Sequence, residues 1–249
     1  MSKIGIILGQ GIDINDKIIG AKEHFMDTPY GKLASKLITG TISGKEVAVL
    51  YRHGKKEEIP AFLVNYKANM FVFHELGCSH ILATSVCGSL QEEIATGEFV
   101  IFDQFIDLTT QRELTFTDKI PLDKLNHSAF NKPFSDEIRD ILIEAAVLKG
   151  YTVHTKGSVL AVDGPRQSTR AESNLFRKWG ADVVNTTTAP EAILAHELGI
   201  QYGIISLCTY YDTWRTDIPP ATRDEKQEVI DIYSEKMREI LLSTIEKIA

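Results

Sequence analysis

HILATSVCGSLQEEIATGEFVIFDQFID, residues 80–107, is the stretch on which the fold turns. From His80 to Val86 it is a short apolar run of strand length, without the three-and-four spacing of a helix. It predicts a buried strand ending in a tight turn at Ser85, Val86, Cys87, Gly88 and Ser89. Small side chains there let the backbone approach a ligand and offer it N–H groups. Thr96-Gly97 is a turn pair, and Glu98 to Leu108 behind it reads as a second strand. Taken alone, this is a buried strand, a turn and a strand; its meaning depends on the flanking chain.

Upstream, Lys3 to Leu8 (KIGIIL) predicts a strand from which Gly9-Gln10-Gly11 turns sharply. A lone G-x-G is a weak phosphate-loop signal. Thr28-Pro29-Tyr30-Gly31 is a turn, and Leu37–Ile42 and Glu46–Tyr51 form a hairpin around Ser43-Gly44. The hairpin runs into Arg52-His53-Gly54, which suits a phosphate or carboxylate. A solvated basic corner continued by Lys55 and Lys56 fits the same residues. Asn65 to Leu76 is helical by pattern and stopped by Gly77.

Downstream, residues 109–134 are irregular, and Ser135 caps a helix that Gly150 stops. Two short strands lie within Tyr151–Val162. Thr169-x-x-Glu172 is a capping box opening a helix to Trp179. Ala181–Asn185 is a strand, Pro190 starts a helix closed by Gly199, and Gln201–Cys208 is the last strand. Arg223 to Ile248 is one long amphipathic helix with Val229, Ile232, Tyr233, Met237, Ile240, Leu241 and Ile245 on its apolar side. The alternation predicts an α/β fold, a single domain over residues 1–249 with a central mixed β-sheet flanked by helices.

Composition narrows the function. With 43% apolar and 24% charged residues the chain is an ordinary globular protein, and its net charge of −7 argues against a nucleic-acid surface. Cys78, Cys87 and Cys208 have no zinc-like spacing and are too few and odd in number for a disulfide framework, so no metal is expected. No secretory leader and no membrane-length apolar stretch is recognisable, which predicts a cytoplasmic protein without a membrane partner.

The polar strand ends sort into two sets. Arg52, His53, Ser85, Thr187 and the Gly9–Gly11 turn can hold an anion by charge-assisted and backbone hydrogen bonds. Asn185, Thr186, Thr209 and Asp212 can meet a sugar and a base. Equally, Asn185 can pin a turn and Asp212 can cap the loop before Trp214.

Ordered along the chain are Gly9-x-Gly11, TPYGK at 28–32, RHG at 52–54, VNYKAN at 64–69, CGSL at 87–90, DQFID at 103–107, DGPR at 163–166, RAE at 170–172, WGADVVN at 179–185 and PE at 190–191. With these motifs the chain resembles the trimeric purine nucleoside phosphorylases, most closely their methylthioadenosine phosphorylase branch. The resemblance implies a homotrimer that uses inorganic phosphate as co-substrate, without metal or organic cofactor, to release a free base and a ribose 1-phosphate. It implies phosphate contacts from Arg52, His53, Ser85 and Thr187, with Gln10 where the family turn offers Ser or Thr. It places Val86, Cys87, Gly88, Gln167, Asn185, Thr186, Thr209 and Arg223 around the nucleoside, and Asp212 and Tyr210 at the base as catalytic residues.

The departures are specific. Tyr210 replaces a base-facing Asp, Gln167 a Phe and Thr186 a Met, while Glu57 stands where the branch has His. Arg223, Lys226 and Gln227 replace apolar residues at the 5′ end, which suits a polar or anionic 5′ group better than a thioether; equally, Arg223 and Lys226 can merely face solvent. The expected activity is therefore phosphorolysis of a purine-type ribonucleoside without strict methylthioadenosine specificity. A hydrolase, with Gln10 crowding the phosphate site, and an inactive nucleoside-binding homologue, with Tyr210 unable to activate the leaving base, are the alternatives.

Overall fold

The computed structural model describes residues 3–248. Strands β1 (Lys3–Leu8), β2 (Ile19–His24), β3 (Asp27–Thr28), β4 (Gly31–Lys32), β5 (Leu37–Ile42) and β6 (Lys45–Tyr51) precede helix α1 (Tyr66–Glu75). Next come β7 (Cys78–Ser89), β8 (Phe99–Ile101), β9 (Gln104–Asp107) and α2 (Asp136–Leu148), then β10 (Val153–His154), β11 (Ser158–Ala161) and α3 (Arg170–Lys178). The chain finishes with β12 (Val183–Asn185), α4 (Thr188–Glu197), β13 (Gln201–Tyr211) and α5 (Arg223–Lys247). Among the described residues no helix is long and apolar enough to cross a membrane.

Eleven strands form one mixed sheet in the order β10-β8-β13-β7-β1-β6-β5-β2, with β12, β11 and β9 branching from the end of β7. This is the predicted α/β architecture. The centre is parallel: β1 lies between β6 and β7, and β13 runs beside β7. Both faces of this centre are covered, which is why its strands read as nearly unbroken apolar runs. Ile4, Ile6 and Leu8 of β1 pack on one side with Leu142 of α2 and Ile240 and Leu241 of α5. Ile7 packs on the other side with Met70 and Phe73 of α1 and Leu194 of α4.

Four local expectations are corrected. Residues 85–89 are strand and not a tight turn, because β13 accompanies β7 as far as Ser89 across a bulge between Cys208 and Tyr210. The run 98–108 is two strands, because Phe102 and Asp103 break it; Asp103 Oδ1 accepts the Gly157 N–H at 3.0 Å, and β9 leaves to pair with β11. Helix α4 begins at Thr188, ahead of Pro190, with Thr187 as N-cap. In α5, Ile230 enters the core while Ile232 is 57% exposed. That helix starts with a capping box, Thr222 with Glu225, that the sequence reading did not use. Edge strand β2 went unpredicted because it is almost wholly exposed and carries no apolar alternation.

Gly11 joins β1 to this core. Its φ is +72°, and a Cβ placed on it would lie 2.2 Å from Ile230 Cγ2. Gly11→Ala therefore forces both a left-handed Ala and a displaced α5. Urea unfolding should show a loss of about 1–3 kcal/mol, read as a lower midpoint at unchanged m.

Candidate active site

The site lies where the parallel centre of the sheet stops. β7 pairs with β1 only as far as Ala83 and is taken up by β12 only at Gly88, so between them the β7 edge facing β1 is open. Thr84 organises that edge: its Oγ1 accepts the Gly9 N–H at 2.9 Å, and its carbonyl accepts from Arg52 Nη1 at 2.7 Å. Gly9 is required here, since a Cβ would sit 2.6 Å from the Thr84 carbonyl oxygen and 3.1 Å from Arg52 Nη1. Around this edge lies a cavity of about 270 Å³. Gln10, Arg52, His53, Ser85, Val86, Thr186 and Thr187 all line it, and Glu57 and the strap Asp163-Gly164-Pro165 close it. Strand ends in an α/β sheet are the expected place for such a crevice. A larger open groove, about 490 Å³ between Asn126 and Tyr202, holds none of these residues.

Arg52 is fully buried, and its charge is matched within the protein. Nε and Nη2 form a fork on the Glu191 carboxylate, the Nη2 bond being 2.9 Å. Tyr202 donates its hydroxyl to the same carboxylate at 2.6 Å. Burial works against the guanidinium charge, but Glu191 outweighs it and holds the Arg52 pKa above its ordinary value. With Nη1 also on Thr84, Arg52 offers the cavity only its remaining N–H bonds.

The other cavity groups are poised differently. His53 Nδ1 lies 2.9 Å from the Ile59 carbonyl, which can only accept, so Nδ1 carries a proton and Nε2 is the free ring nitrogen. Burial and then the neighbouring Arg52 charge push its pKa below the usual 6.5. The Ser85 and Ser206 hydroxyls are hydrogen-bonded at 2.9 Å. Thr187 is the N-cap of α4, yet its hydroxyl does not cap the helix, and so it stays available beside the positive end of the helix dipole. Gln10 turns its amide towards Glu57, at 3.5 Å.

A second cluster sits two residues further along β7. The Tyr210 ring covers Gly88 so closely that a Cβ there would lie 2.5 Å from Tyr210 Cζ. Lys226 Nζ stands 4.0 Å from the centre of the same ring. Neither Tyr210 nor Asp212 lines the cavity. Asp212 is buried, and the Ser173 and Ser168 hydroxyls lie near its carboxylate without closing a well-aligned hydrogen bond. Burial pushes its pKa up against the pull of the nearby Ser173 and Ser168 hydroxyls and of Lys226. Burial, with the Asp212 charge added, also raises the Tyr210 phenol. Burial lowers the Lys226 pKa, and Asp212 partly restores it.

The remaining expected residues are spent on structure or lie at the surface. Asn185 pins the turn into α4, its Nδ2 donating to Thr188 Oγ1 at 2.6 Å. Thr209 Oγ1 donates to the Cys87 carbonyl at 3.4 Å, and Cys87 directs its thiol to the Leu207 carbonyl at 3.7 Å. Gln167 and Arg223 are exposed and do not line the cavity. Gln227 is tied to Asp231 along its own helix at 2.9 Å. Sequence reasoning missed Glu191, Thr84 and Tyr202. Only Glu191 carried a signal, an acid inside the otherwise apolar PEAILA.

The described residues contain no cluster of His, Cys, Asp and Glu arranged for a metal. Residues 3–246 match the sequence pattern of the Phosphorylase superfamily. The chain is similar to the S-methyl-5'-thioadenosine phosphorylase of Xenopus tropicalis, 43% identical over 250 residues that cover 99% of this chain and 89% of that protein. It is similar to the one of Ciona intestinalis at 40% over 250 residues, covering 100% and 89%. The solved methylthioadenosine phosphorylase from Schistosoma mansoni in complex with adenine matches with a TM-score of 0.91 at 36% identity, over 98% of this chain and 91% of that one.

Two measurements test this electrostatic arrangement. Glu191→Gln leaves a buried guanidinium uncompensated and should cost about 3–5 kcal/mol in chemical denaturation, whereas Arg52→Met combined with Glu191→Leu should cost less. For His53 the folded pKa is below the unfolded one, so between the two values the unfolded chain binds more protons. Its contribution is complete above pH 6.5 and falls away as the pH drops towards the folded pKa. Stability measured at pH 7.5 and 5.5 should therefore decline less for His53→Gln than for the wild-type chain.

Proposed function

The chain belongs to the Phosphorylase superfamily, and we propose that the cavity at the end of β7 is where inorganic phosphate attacks a purine-type ribonucleoside. The reaction is phosphate-dependent cleavage of the N-glycosidic bond, giving a free base and a ribose 1-phosphate or its 5-substituted analogue. The observation that carries the assignment of residues is the convergence of Gln10, Arg52, His53, Ser85 and Thr187, far apart in sequence, on one cavity.

In this reading phosphate sits beneath C1′ and is held by the Thr187 hydroxyl, the Ser85 hydroxyl turned from Ser206 to the anion, the remaining Arg52 N–H bonds and the positive end of α4, while His53 Nε2 accepts from a protonated phosphate oxygen. A phosphate oxygen forms the new bond to C1′ while the C1′–N bond breaks and its electron pair leaves with the base. Positive charge that develops on the ribose is stabilised by the anion below it. Asp212, whose pKa burial raises and which lies behind the cavity and not in its wall, is assigned to the base, where it shares the proton that the departing ring nitrogen takes up. Tyr210 remains a neutral phenol and acts as a hydrogen-bond donor or acceptor. Nothing in these steps calls for a metal or an organic cofactor.

The base and the 5′ group are not those of a strict methylthioadenosine enzyme. Lys226, over the Tyr210 ring and near Asp212, puts a cation beside the residues assigned to the base, where the branch has an apolar surround. We place the enzyme in the cytoplasm, in keeping with three buried free thiols. It works as a homotrimer. Leu175 and Trp179, 42% and 50% exposed, line an apolar hollow that shares Asp163 and Gly164 with the phosphate cavity. An interface there would complete the site.

A panel of purine ribonucleosides with and without phosphate tests the activity. Base release that requires phosphate, matched by sugar 1-phosphate, is expected; release without phosphate would make the protein a hydrolase. Thr187→Ala should raise the KM for phosphate by roughly tenfold, the loss of one charge-assisted hydrogen bond.

A further inference from the structure

The glycine turn below the cavity already holds an anion, and that anion is part of the chain. The Gly11 N–H donates to Glu57 Oε1 at 2.7 Å, while Gln10 Nε2 lies 3.5 Å from Glu57 Oε2. Glu57 is placed there by an unusual backbone, with φ of +56° in a residue that carries a side chain. Its own N–H closes a turn onto the Gly54 carbonyl at 3.1 Å. Gln10 and Glu57 both line the cavity that contains Arg52, His53 and Thr187. The guanidinium beside them is neutralised by Glu191, and burial favours an uncharged His53. The walls therefore carry no spare positive charge; of their two carboxylates, Asp163 is tied to Thr110 in the strap, and Glu57 is the one on the glycine turn.

We propose that Glu57 is a specificity-determining residue of the phosphate subsite: a resident carboxylate on the Gly11 N–H that an incoming phosphate must displace. This rests on the phosphorylase reading of the cavity. Glu57 is exposed and can swing into water at little solvation cost, which frees the Gly11 N–H and the Gln10 amide to donate to phosphate oxygens. Gln10 is long enough to follow either anion. The consequence is a weak phosphate site, since each binding event breaks one charge-assisted hydrogen bond and brings like charges together.

The test compares the wild-type chain, Glu57→Gln, Glu57→Ala and Glu58→Gln in calorimetric titration with inorganic phosphate and in steady-state kinetics with phosphate varied. Glu58 supplies the control, because its carboxylate Oε2 accepts the Lys56 N–H at 2.9 Å and it does not line the cavity. Expected is a phosphate Kd lowered about tenfold in Glu57→Gln and at least as much in Glu57→Ala. The KM for phosphate should follow, with kcat changing less, and Glu58→Gln should stay within about twofold of wild type. Unchanged or weaker phosphate binding in both Glu57 variants overturns the proposal. So does an equal gain in Glu58→Gln, which would reduce the effect to general surface charge. Tighter phosphate binding without phosphate-dependent base release in any variant would uphold the role of Glu57 and reject the phosphorylase reading instead.

Discussion

The buried fork between Arg52 and Glu191 is the contact on which the rest of the site depends. It joins the end of β6 to the first turn of α4, and through Tyr202 and the Thr84 carbonyl it reaches β13 and β7. Desolvating two such ions costs several kcal/mol each, a cost repaid only when the geometry is good and the leftover donors and acceptors are satisfied. The geometry is good and most groups are satisfied: the guanidinium has a bidentate partner and a carbonyl, the carboxylate has a phenol as well, and the remaining guanidinium N–H bonds are left to the cavity. An apolar pair of similar size could stabilise the core equally well. What the ion pair adds is fixed orientation, because the planar fork aligns α4 so that Thr187 and the positive helix end face the open edge of β7.

From that alignment the shape of the cavity follows. Gly9 brings the β1 exit against Thr84 at a distance no side chain would allow, and Gly11 turns the chain away along Ile230 of α5. β7 continues past β1, so backbone groups that would be paired inside a sheet become a rim. Parallel strands that stop at different heights create such a rim without any dedicated loop, which is why so much of the lining comes from residues at strand ends.

The sequence displayed the layers well and the partners poorly. The apolar runs KIGIIL and EVAVLY, the caps at Ser135 and Thr169, and the glycine stops told where elements lie, since these are local signals. Residues 85–89 were misread because their strand character comes from β13, more than a hundred residues away, and not from propensity. Arg52, His53, Ser85 and Thr187 could be nominated from chemistry and from family resemblance, and they do share one cavity. That Arg52 arrives already neutralised could not be read, because Glu191 lies 139 residues on and looks like an ordinary helix acid. Asn185 went the other way: a polar residue at a strand end is as useful for pinning the start of a helix as for meeting a sugar, and here it pins the helix.

The two ends of the site follow opposite electrostatic rules. At the phosphate end the main anion-binding groups have partners before a ligand arrives: Arg52 has Glu191, and the glycine turn has Glu57. At the end we assign to the base, the Asp212 carboxylate has only the nearby Ser173 and Ser168 hydroxyls, and burial pushes its pKa up against their pull. A buried polar group left unsatisfied is costly and rarely retained without use. The asymmetry matches the direction in which charge moves when a glycosidic bond breaks. Negative charge must be accepted at the departing ring, the role proposed for Asp212 with its raised pKa. The anion below the sugar needs only to be placed, and a site without surplus positive charge leaves its oxygens free to meet the developing cation. A strongly cationic cup would hold phosphate more tightly in the ground state and blunt that interaction, so a chain that masks its own anion site gains reactivity from weak binding.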